Sequence, residues 1–508
     1  MFSKISSYGL VGLNGFKIEV EVDTSMGLPS YDIVGLPDTA VKESRERVRS
    51  AIKNSGLKFP TNKITINLAP ANLKKVGPNF DLPIAISILF SAGQITGNMA
   101  NKFVIMGELG LDGSIRAISG VLPALISAKE EGFTYFIIPK GNEKEASYID
   151  GVNIYAFEKL IDVVGFFNGV VNFEPIKKVL WRLENDEAKI ENFSRVKGQK
   201  IAKRAIEIAV AGGHNILMAG PPGAGKTMIA RCIPSIMPNL TFEEALEITK
   251  IHSIAGVLDL NKGVVTERPF RSPHHTASIA SLTGGGRDAK PGEVSLASYG
   301  VLFLDELPEY SRQTLETLRQ PLEDGVITVS RVNGTYEYPA NFMLVASMNP
   351  CPCGNYGNTS LQCTCSPSQI QNYLKRLSGP LLDRIDLKID VERVTYLDIA
   401  NKNLEESSEE IKKRVDNARK IQQARFKGTN IFTNSKMTSK MINEYCLIDS
   451  ESEALIKLAF EKYNISARGY SRILKVARTI ADLEGLENIN FNHIAEAIAY
   501  RNIEKFQL

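Results

Sequence analysis

The sequence predicts a multi-domain α/β protein organised around a phosphate-binding parallel sheet, and three observations carry that prediction. Residues 220–227 read Gly220, Pro221, Pro222, Gly223, Ala224, Gly225, Lys226 and Thr227, the pattern G-x-x-x-x-G-K-[ST]. The apolar residues 216–219 precede it and Met228, Ile229 and Ala230 follow, so a buried strand turns on glycines into a helix N-terminus. Downstream, residues 301–304 (VLFL) read as a second buried strand that ends on two acids, Asp305 and Glu306. At 508 residues the chain is too long for one hydrophobic core, so more than one domain is expected.

From the N-terminus, residues 1–169 alternate short strands with helices and form the first expected domain. Residues 17–22 and 63–68 alternate as strands do, residues 38–55 form a charged helical stretch, and residues 135–138 are a buried strand run ending at Pro139. Residues 170–192, with the single tryptophan Trp181 and a polar run, read as a linker. A second α/β domain is expected over 193–391 and a helical domain over 392–508. In the latter, Ser407, Ser408, Glu409 and Glu410 read as a capping box ahead of Ile411, Val415 and Ala418 at helical spacing.

The totals narrow the class. Apolar content of 43% with 23% charged residues fits a globular protein, and a net charge of +3 gives no global field for nucleic acid, so any such contact must come from a local basic surface. The longest apolar run, residues 82–92, is too short to span a bilayer and carries Pro83, so no membrane partner is expected. No charged-then-apolar leader follows Met1, which makes the cytoplasm the expected compartment. Six cysteines are present and four crowd together, Cys351, Cys353, Cys363 and Cys365. In a reducing compartment that clustering points to metal or packing rather than a disulfide framework, while Cys232 and Cys446 read as core residues.

The expected chemistry follows from residue types at these positions. A glycine turn at a helix N-terminus offers backbone N–H groups, the helix dipole and the Lys226 charge to a nucleotide's phosphates, which points to ATP. Thr227 and Asp305 are expected to hold Mg²⁺, and Glu306 to polarise an attacking water. Val196 and Lys197 precede the first helix, where backbone groups can meet adenine. Asn349 follows the strand of residues 342–347 and is expected to reach the γ-phosphate. Arg384 is expected exposed on a short turn, able to reach a neighbouring protomer's phosphates; its bland alternative is an ion pair with Asp383 or Asp386. Arg468 and Arg472, in residues 466–472 (SARGYSR), start a late helix that closes over the nucleotide. Residues 325–338 alternate on both sides of Asn333-Gly334, a hairpin signal that presents Arg331 either to nucleic acid or simply to solvent. His274 and His275, in a long insertion before the acidic strand, are read as loop contacts rather than ligands. The four clustered cysteines offer either a tetrahedral, structural Zn²⁺ site or reduced thiols packed in a loop.

With these residues in hand, the chain resembles the magnesium-chelatase-like AAA+ ATPases, and within them the YifB/ComM family. The resemblance rests on residues 35–44 (GLPDTAVKES), the His274-His275 loop, residues 349–354 (NPCPCG), 378–384 (SGPLLDR) and 477–482 (ARTIAD), and covers essentially the whole length. It implies an AAA+ core with a helical C-terminal lid, a homo-hexameric ring, a sensor role for Asn349, a trans arginine finger at Arg384 and a second sensor arginine at Arg468 or Arg472. It also implies a DNA motor acting on single-stranded or branched DNA, as in branch migration during natural transformation. No tetrapyrrole partner is expected, because no D-x-S-x-S motif is present. Residues 107–113 (GELGLDG) and 132–144 (GFTYFIIPKGNEK) make the N-terminal domain similar to the Lon protease domain, an α+β fold of the ribosomal S5 type. Lon uses a Ser-Lys dyad. On that resemblance the serine position is Asn79 and the lysine position Leu122, so no peptidase activity is expected.

Overall fold

The structure is a computed structural model, which describes residues 1–96, 102–181, 191–286, 289–331, 334–357, 361–394, 400, 405–463 and 465–501. Its first unit is a seven-stranded mixed sheet in the order Ser30–Val34, Lys63–Ala69, Asn14–Ser25, Phe2–Val11, Phe103–Ile105, Tyr135–Pro139, Asn153–Phe157. Strict alternation builds its centre: in Asn14–Ser25, Ile18, Val20 and Val22 are fully buried, with Glu19 and Glu21 on the other face. The charged stretch becomes the helix Thr39–Asn54, whose N-cap Asp38 accepts from Val41 N–H at 2.8 Å. Its buried residues Val41, Ser44, Val48, Ala51 and Ile52 recur at helical spacing, and that stripe faces the sheet core. The apolar run becomes helix Asp81–Ser91, buried on nearly every side. Among the described residues no helix is long and apolar enough to cross a membrane.

The second unit is a five-stranded, wholly parallel sheet in the order Phe270–Arg271, Val301–Leu304, Met343–Met348, Ile216–Ala219, Leu387–Asp390. The edge strand Phe270–Arg271 corrects the reading of this region as a mere insertion. Two residues are too few to show alternation in sequence, and only pairing with Val301 and Leu302 defines them. The strand bearing Asn349 lies between the glycine-turn strand and the acidic strand, so three chemically distinct strand ends meet at one edge. The expected hairpin forms from Val326–Arg331 and Gly334–Pro339, with Val326 opposite Pro339 and Arg331 opposite Gly334 rather than the pairing that centres the turn on Asn333-Gly334. The Arg331 side chain and the Asn333 turn residue lie outside the described residues.

The C-terminal helices Ser408–Arg425, Ser439–Tyr445, Ser450–Tyr463, Ala467–Leu483 and Phe491–Ala499 share one apolar core with helix Lys200–Gly212 of the second unit. The expected capping box is present: Ser407 and Glu410 bond reciprocally to each other's backbone. Residues 477–482 have a structural role. Arg478, 2% exposed, donates to the carbonyls of Leu486 and Glu487 and, with Arg425, clamps the buried Asp482. Removing either arginine would leave a buried carboxylate short of partners, which is far costlier than losing a surface pair.

The start of the 170–192 segment packs rather than hangs free. Phe173 lies 4.6 Å from Phe157 between ring centroids, Ile176 N–H bonds Ile154 O at 2.8 Å, and Trp181 reaches Phe242 of the second unit at 5.9 Å. The polar residues 182–190 lie outside the described residues.

The two sheets are joined where helix Phe242–Ala255 meets helix Val121–Glu130. Gly120 N–H donates to Ser253 Oγ at 3.0 Å, and Ser253 Oγ donates to Glu145 Oε2 at 3.1 Å. Asn142 Nδ2 donates to Glu145 Oε1 at 2.6 Å. Burial pushes the Glu145 carboxyl up to about 7 against the pull of the Asn142 and Ser253 hydrogen bonds. A carboxyl raised in the folded state contributes stability that is full below its unfolded value of 4.5 and is lost as pH rises through about 7. Glu145→Gln keeps the shape and removes the ionisation. The variant is therefore expected to lose a pH-dependent increment on the order of 2 kcal/mol between about pH 5.5 and about pH 8. Thermal melts of both proteins at about pH 5.5 and about pH 8 read this out, and parallel pH profiles would count against it.

Candidate active site

The strand Ile216–Ala219 ends on Gly220, where a Cβ would sit 2.2 Å from the Val391 carbonyl, so only glycine lets the chain pass. Gly223 and Gly225 take φ of 78° and 86°, and the helix Lys226–Ile236 starts at once. The turn therefore wraps a helix N-terminus, whose free N–H groups and dipole favour an anion. Residues 222–228 line a cavity of about 420 Å³ together with Asp305, Glu306, Ser347, Met348 and Asn349.

Lys226 is buried, 9% exposed, and its Nζ donates to the carbonyls of Gly220 at 2.6 Å and Pro221 at 3.1 Å and to Asn349 Oδ1 at 3.2 Å. Burial holds its pKa below the usual lysine value, partly offset by Asp305 and Glu306. Among the described residues its bonds go only to uncharged oxygens. A buried cation satisfied by carbonyls and an amide is poised for an anionic partner, which fits the phosphates of ATP.

Thr227 Oγ1 donates to Asp305 Oδ2 at 2.9 Å. The two are hard oxygen donors meeting at the cavity wall, which suits Mg²⁺. Ser347 Oγ donates to the other carboxylate oxygen, and Glu306 N–H bonds that same oxygen at 3.1 Å, fixing the Asp305 carboxylate from its far side. Ser347 escaped the sequence reading, although a fully buried hydroxyl in an otherwise apolar strand was the available signal.

Glu306 is left-handed, with φ 52° and ψ 50°. That conformation is uncommon outside glycine, and a non-glycine residue held there beside a cavity makes it a candidate functional position. The turn aims Asp305 inward and leaves the Glu306 side chain 54% exposed at the cavity mouth. His275 Nδ1 stands 3.8 Å from Glu306 Oε2, with its ring centroid 4.1 Å from that of His274. The loop-contact reading of the histidines thus acquires a specific partner, which chain distance alone could not suggest.

The remaining expected residues lie outside this cavity. Val196 is buried in the core, and Gln199, with φ 54°, reaches the glycine turn through Nε2 to Ala224 O at 3.4 Å, so residues 196–199 run beside the phosphate turn. Arg384 corrects the sequence expectation of an exposed side chain. Its residue is 7% exposed, its guanidinium pairs with Glu323, and Nη1 donates to Pro380 O at 2.8 Å. Neither Asp383 nor Asp386 is its partner. The helix Arg319–Asp324 brings the acid there, and no sequence spacing announces that contact. Arg468, 64% exposed, lies 3.8 Å from Glu323 as well, while Arg472 pairs with the buried Asp386. Neither arginine lines the cavity.

Asn79 sits in the short turn Pro78–Phe80 with its carbonyl accepting from Gly107 N–H at 3.0 Å, and Leu122 is fully buried in an apolar cluster. The four clustered cysteines do converge, all four sulfurs lying within 4.8 Å of one another. Cys232 and Cys446 are buried in the core.

A parallel sheet whose central strand ends carry a phosphate turn, an acidic pair and an asparagine defines a nucleotide-binding core of the P-loop class. The family described as magnesium chelatase, subunit ChlI, matches residues 192–399; subunit ChlI of Mg-chelatase matches 20–142, and its C-terminal family 405–501. The chain is 43% identical over 506 residues to the competence protein ComM of Haemophilus influenzae, covering 98% of this chain and 97% of that one. It is 43% identical over 508 residues to YifB of Escherichia coli, covering 99% and 97%. A shorter likeness, 26% over 178 residues, relates 32% of this chain to 32% of Lon protease 2 of Bacillus subtilis. The chain belongs to the YifB/ComM family of magnesium-chelatase-like AAA+ ATPases.

Proposed function

We propose that this chain is a Mg²⁺-dependent ATP hydrolase that assembles as a homo-hexameric ring in the cytoplasm and uses turnover to move DNA strands, as in branch migration. The observation that carries the hydrolytic part is the convergence of Lys226, Thr227, Asp305, Glu306 and Asn349 on one cavity. Lys226 binds the β- and γ-phosphates from the floor, and the glycine turn cradles them through backbone N–H groups. Thr227 and Asp305 would hold Mg²⁺, which would supply charge neutralisation on the phosphate oxygens. Glu306, at the solvent side, takes the proton of the attacking water, and Asn349, beside Lys226, orients the γ-phosphate end. Val196 and Lys197 flank the adenine.

Arg384 acts in trans. Its pairing with Glu323 in one protomer holds the guanidinium until a neighbour's triphosphate competes for it, with Arg468 on the same acid and Arg472 closer to Arg384 in the helical lid. The motor reading draws on the full-length likeness to a competence protein, with the hairpin that ends at Arg331 as a DNA-contacting element. The N-terminal domain, Lon-like in sequence but with Asn79 and Leu122 in place of hydroxyl and amine, serves assembly or DNA contact rather than proteolysis.

Parallel measurement of ATP hydrolysis with single-stranded, duplex and branched DNA tests this reading. Stimulation by single-stranded or branched DNA is the expected result. Equal turnover with and without every DNA would sink the motor and favour an ATP-regulated scaffold, whereas stimulation only by a tetrapyrrole-chelating partner would favour the metal-chelatase alternative.

A further inference from the structure

The loop after Asn349 leaves the sheet, makes an excursion and returns as helix Pro367–Leu374. Four cysteines sit at its two ends. Cys351 Sγ lies 3.4 Å from Cys353 Sγ and 3.7 Å from Cys363 Sγ, and Cys353 Sγ lies 3.6 Å from Cys363 Sγ. A tetrahedron with metal–sulfur bonds of about 2.3 Å has edges of roughly 3.8 Å, so these spacings are those of thiolates around one ion and far from the roughly 2 Å of a disulfide. Cys365 completes the set within the same 4.8 Å limit. Around them the chain folds as a metal knuckle would require. Tyr356 N–H points at Cys351 Sγ from 3.3 Å, Gly354 N–H bonds Cys351 O at 3.0 Å, and Gly354 and Gly357 take φ of 81° and 73°. Asn358 lies outside the described residues.

The cluster also touches the nucleotide machinery. A Cβ on Gly354 would meet Pro222 Cδ at 2.4 Å, so the cysteine loop presses directly on the phosphate turn. Cys351 is two residues from Asn349, whose amide oxygen bonds Lys226. Just past Cys365, Ser366 caps helix Pro367–Leu374, whose Tyr373 and Leu374 are buried. The same segment runs on to Arg384.

We propose that Cys351, Cys353, Cys363 and Cys365 bind one structural Zn²⁺, and that this ion holds Asn349 and the phosphate turn in their catalytic positions. The ion would tie residues 351–353 to residues 363–365 across the loop, and without it ordering that loop would cost conformational entropy on every nucleotide-binding event. Four protein sulfurs leave no coordination position for water, so the ion is structural, and a soft tetrahedral sulfur set selects zinc or iron over Mg²⁺. The coupling half of this proposal rests on the ATPase reading; the metal half does not.

Elemental analysis of the full chain purified under reducing conditions is expected to find one zinc per chain. The double variant C363S/C365S, altered on the more exposed side of the cluster, is expected to lose it, and stripping zinc from the unaltered protein with a chelator gives the same apo state without mutation. Apo protein is expected to bind a fluorescent ATP analogue more weakly and to turn over roughly 10²-fold slower, both restored by added Zn²⁺. Absence of metal with the four cluster thiols titrating freely, or iron in place of zinc, overturns the site. Zinc present but removable without change in nucleotide binding or turnover overturns the coupling. If Lys226→Ala also leaves analogue binding unchanged, the ATPase reading fails on its own while the zinc count stands.

Discussion

Glu306→Gln is expected to cut ATP turnover by about 10²–10⁴-fold while nucleotide affinity stays close to that of the unaltered chain. The amide keeps the size of the carboxyl but cannot take the proton of an attacking water. In the proposed site affinity comes from Lys226, the glycine turn and the Thr227–Asp305 pair, whose side-chain hydrogen bonds go to groups other than the Glu306 side chain. Backbone geometry at position 306 is also preserved, since glutamine can occupy the same left-handed turn and Glu306 N–H still bonds Asp305. Phosphate release paired with equilibrium binding separates the two effects. Unchanged turnover would remove Glu306 from the base role, and His275, 3.8 Å away, would become the next group to test.

Arg384→Ala is expected to lower turnover by about 10³–10⁵-fold, the range for a guanidinium that completes a neighbouring phosphoryl-transfer site. Its stability cost is expected to be small, because Glu323 is half exposed and rehydrates once its partner is gone. A melting temperature near that of the unaltered chain would separate loss of chemistry from loss of fold. Mixing Lys226→Ala with Arg384→Ala protomers supplies an intact triphosphate grip beside an intact arginine at some interfaces. Recovery of turnover on mixing is the expected result, and a mixture as inactive as its components would sink action in trans.

Much of the site was legible in the chain because its signals are local. The G-x-x-x-x-G-K-[ST] turn, the apolar strand before it and the acid pair after Leu304 each need only neighbours in sequence, and the structure brings residues of the turn and the acid pair to one cavity. Helix Thr39–Asn54 and the capping box at Ser407 were legible for the same reason: periodicity and caps are read over a few residues. The two-residue strand Phe270–Arg271 was not, since pairing with residues thirty positions away is what makes it a strand. Ser347 was hidden differently, as a single hydroxyl inside an apolar run whose use depends on Asp305 lying on the adjacent strand.

The sequence by itself determined which chemistry the chain offers: a phosphate turn, a pair of oxygen donors suited to Mg²⁺, a candidate base and four thiols, each a residue type at a fixed spacing. Only the tertiary structure decided where the charges go: that Lys226 is buried against uncharged oxygens, that Arg384 is held by Glu323, that His275 faces Glu306, and that the cysteine loop presses on Pro222. The division has a physical cause. Periodicity, caps and turns are set by dihedral preferences and burial along a short stretch of chain, whereas ion pairs and cavity walls join residues far apart in sequence, whose contact depends on how the sheets and helices pack.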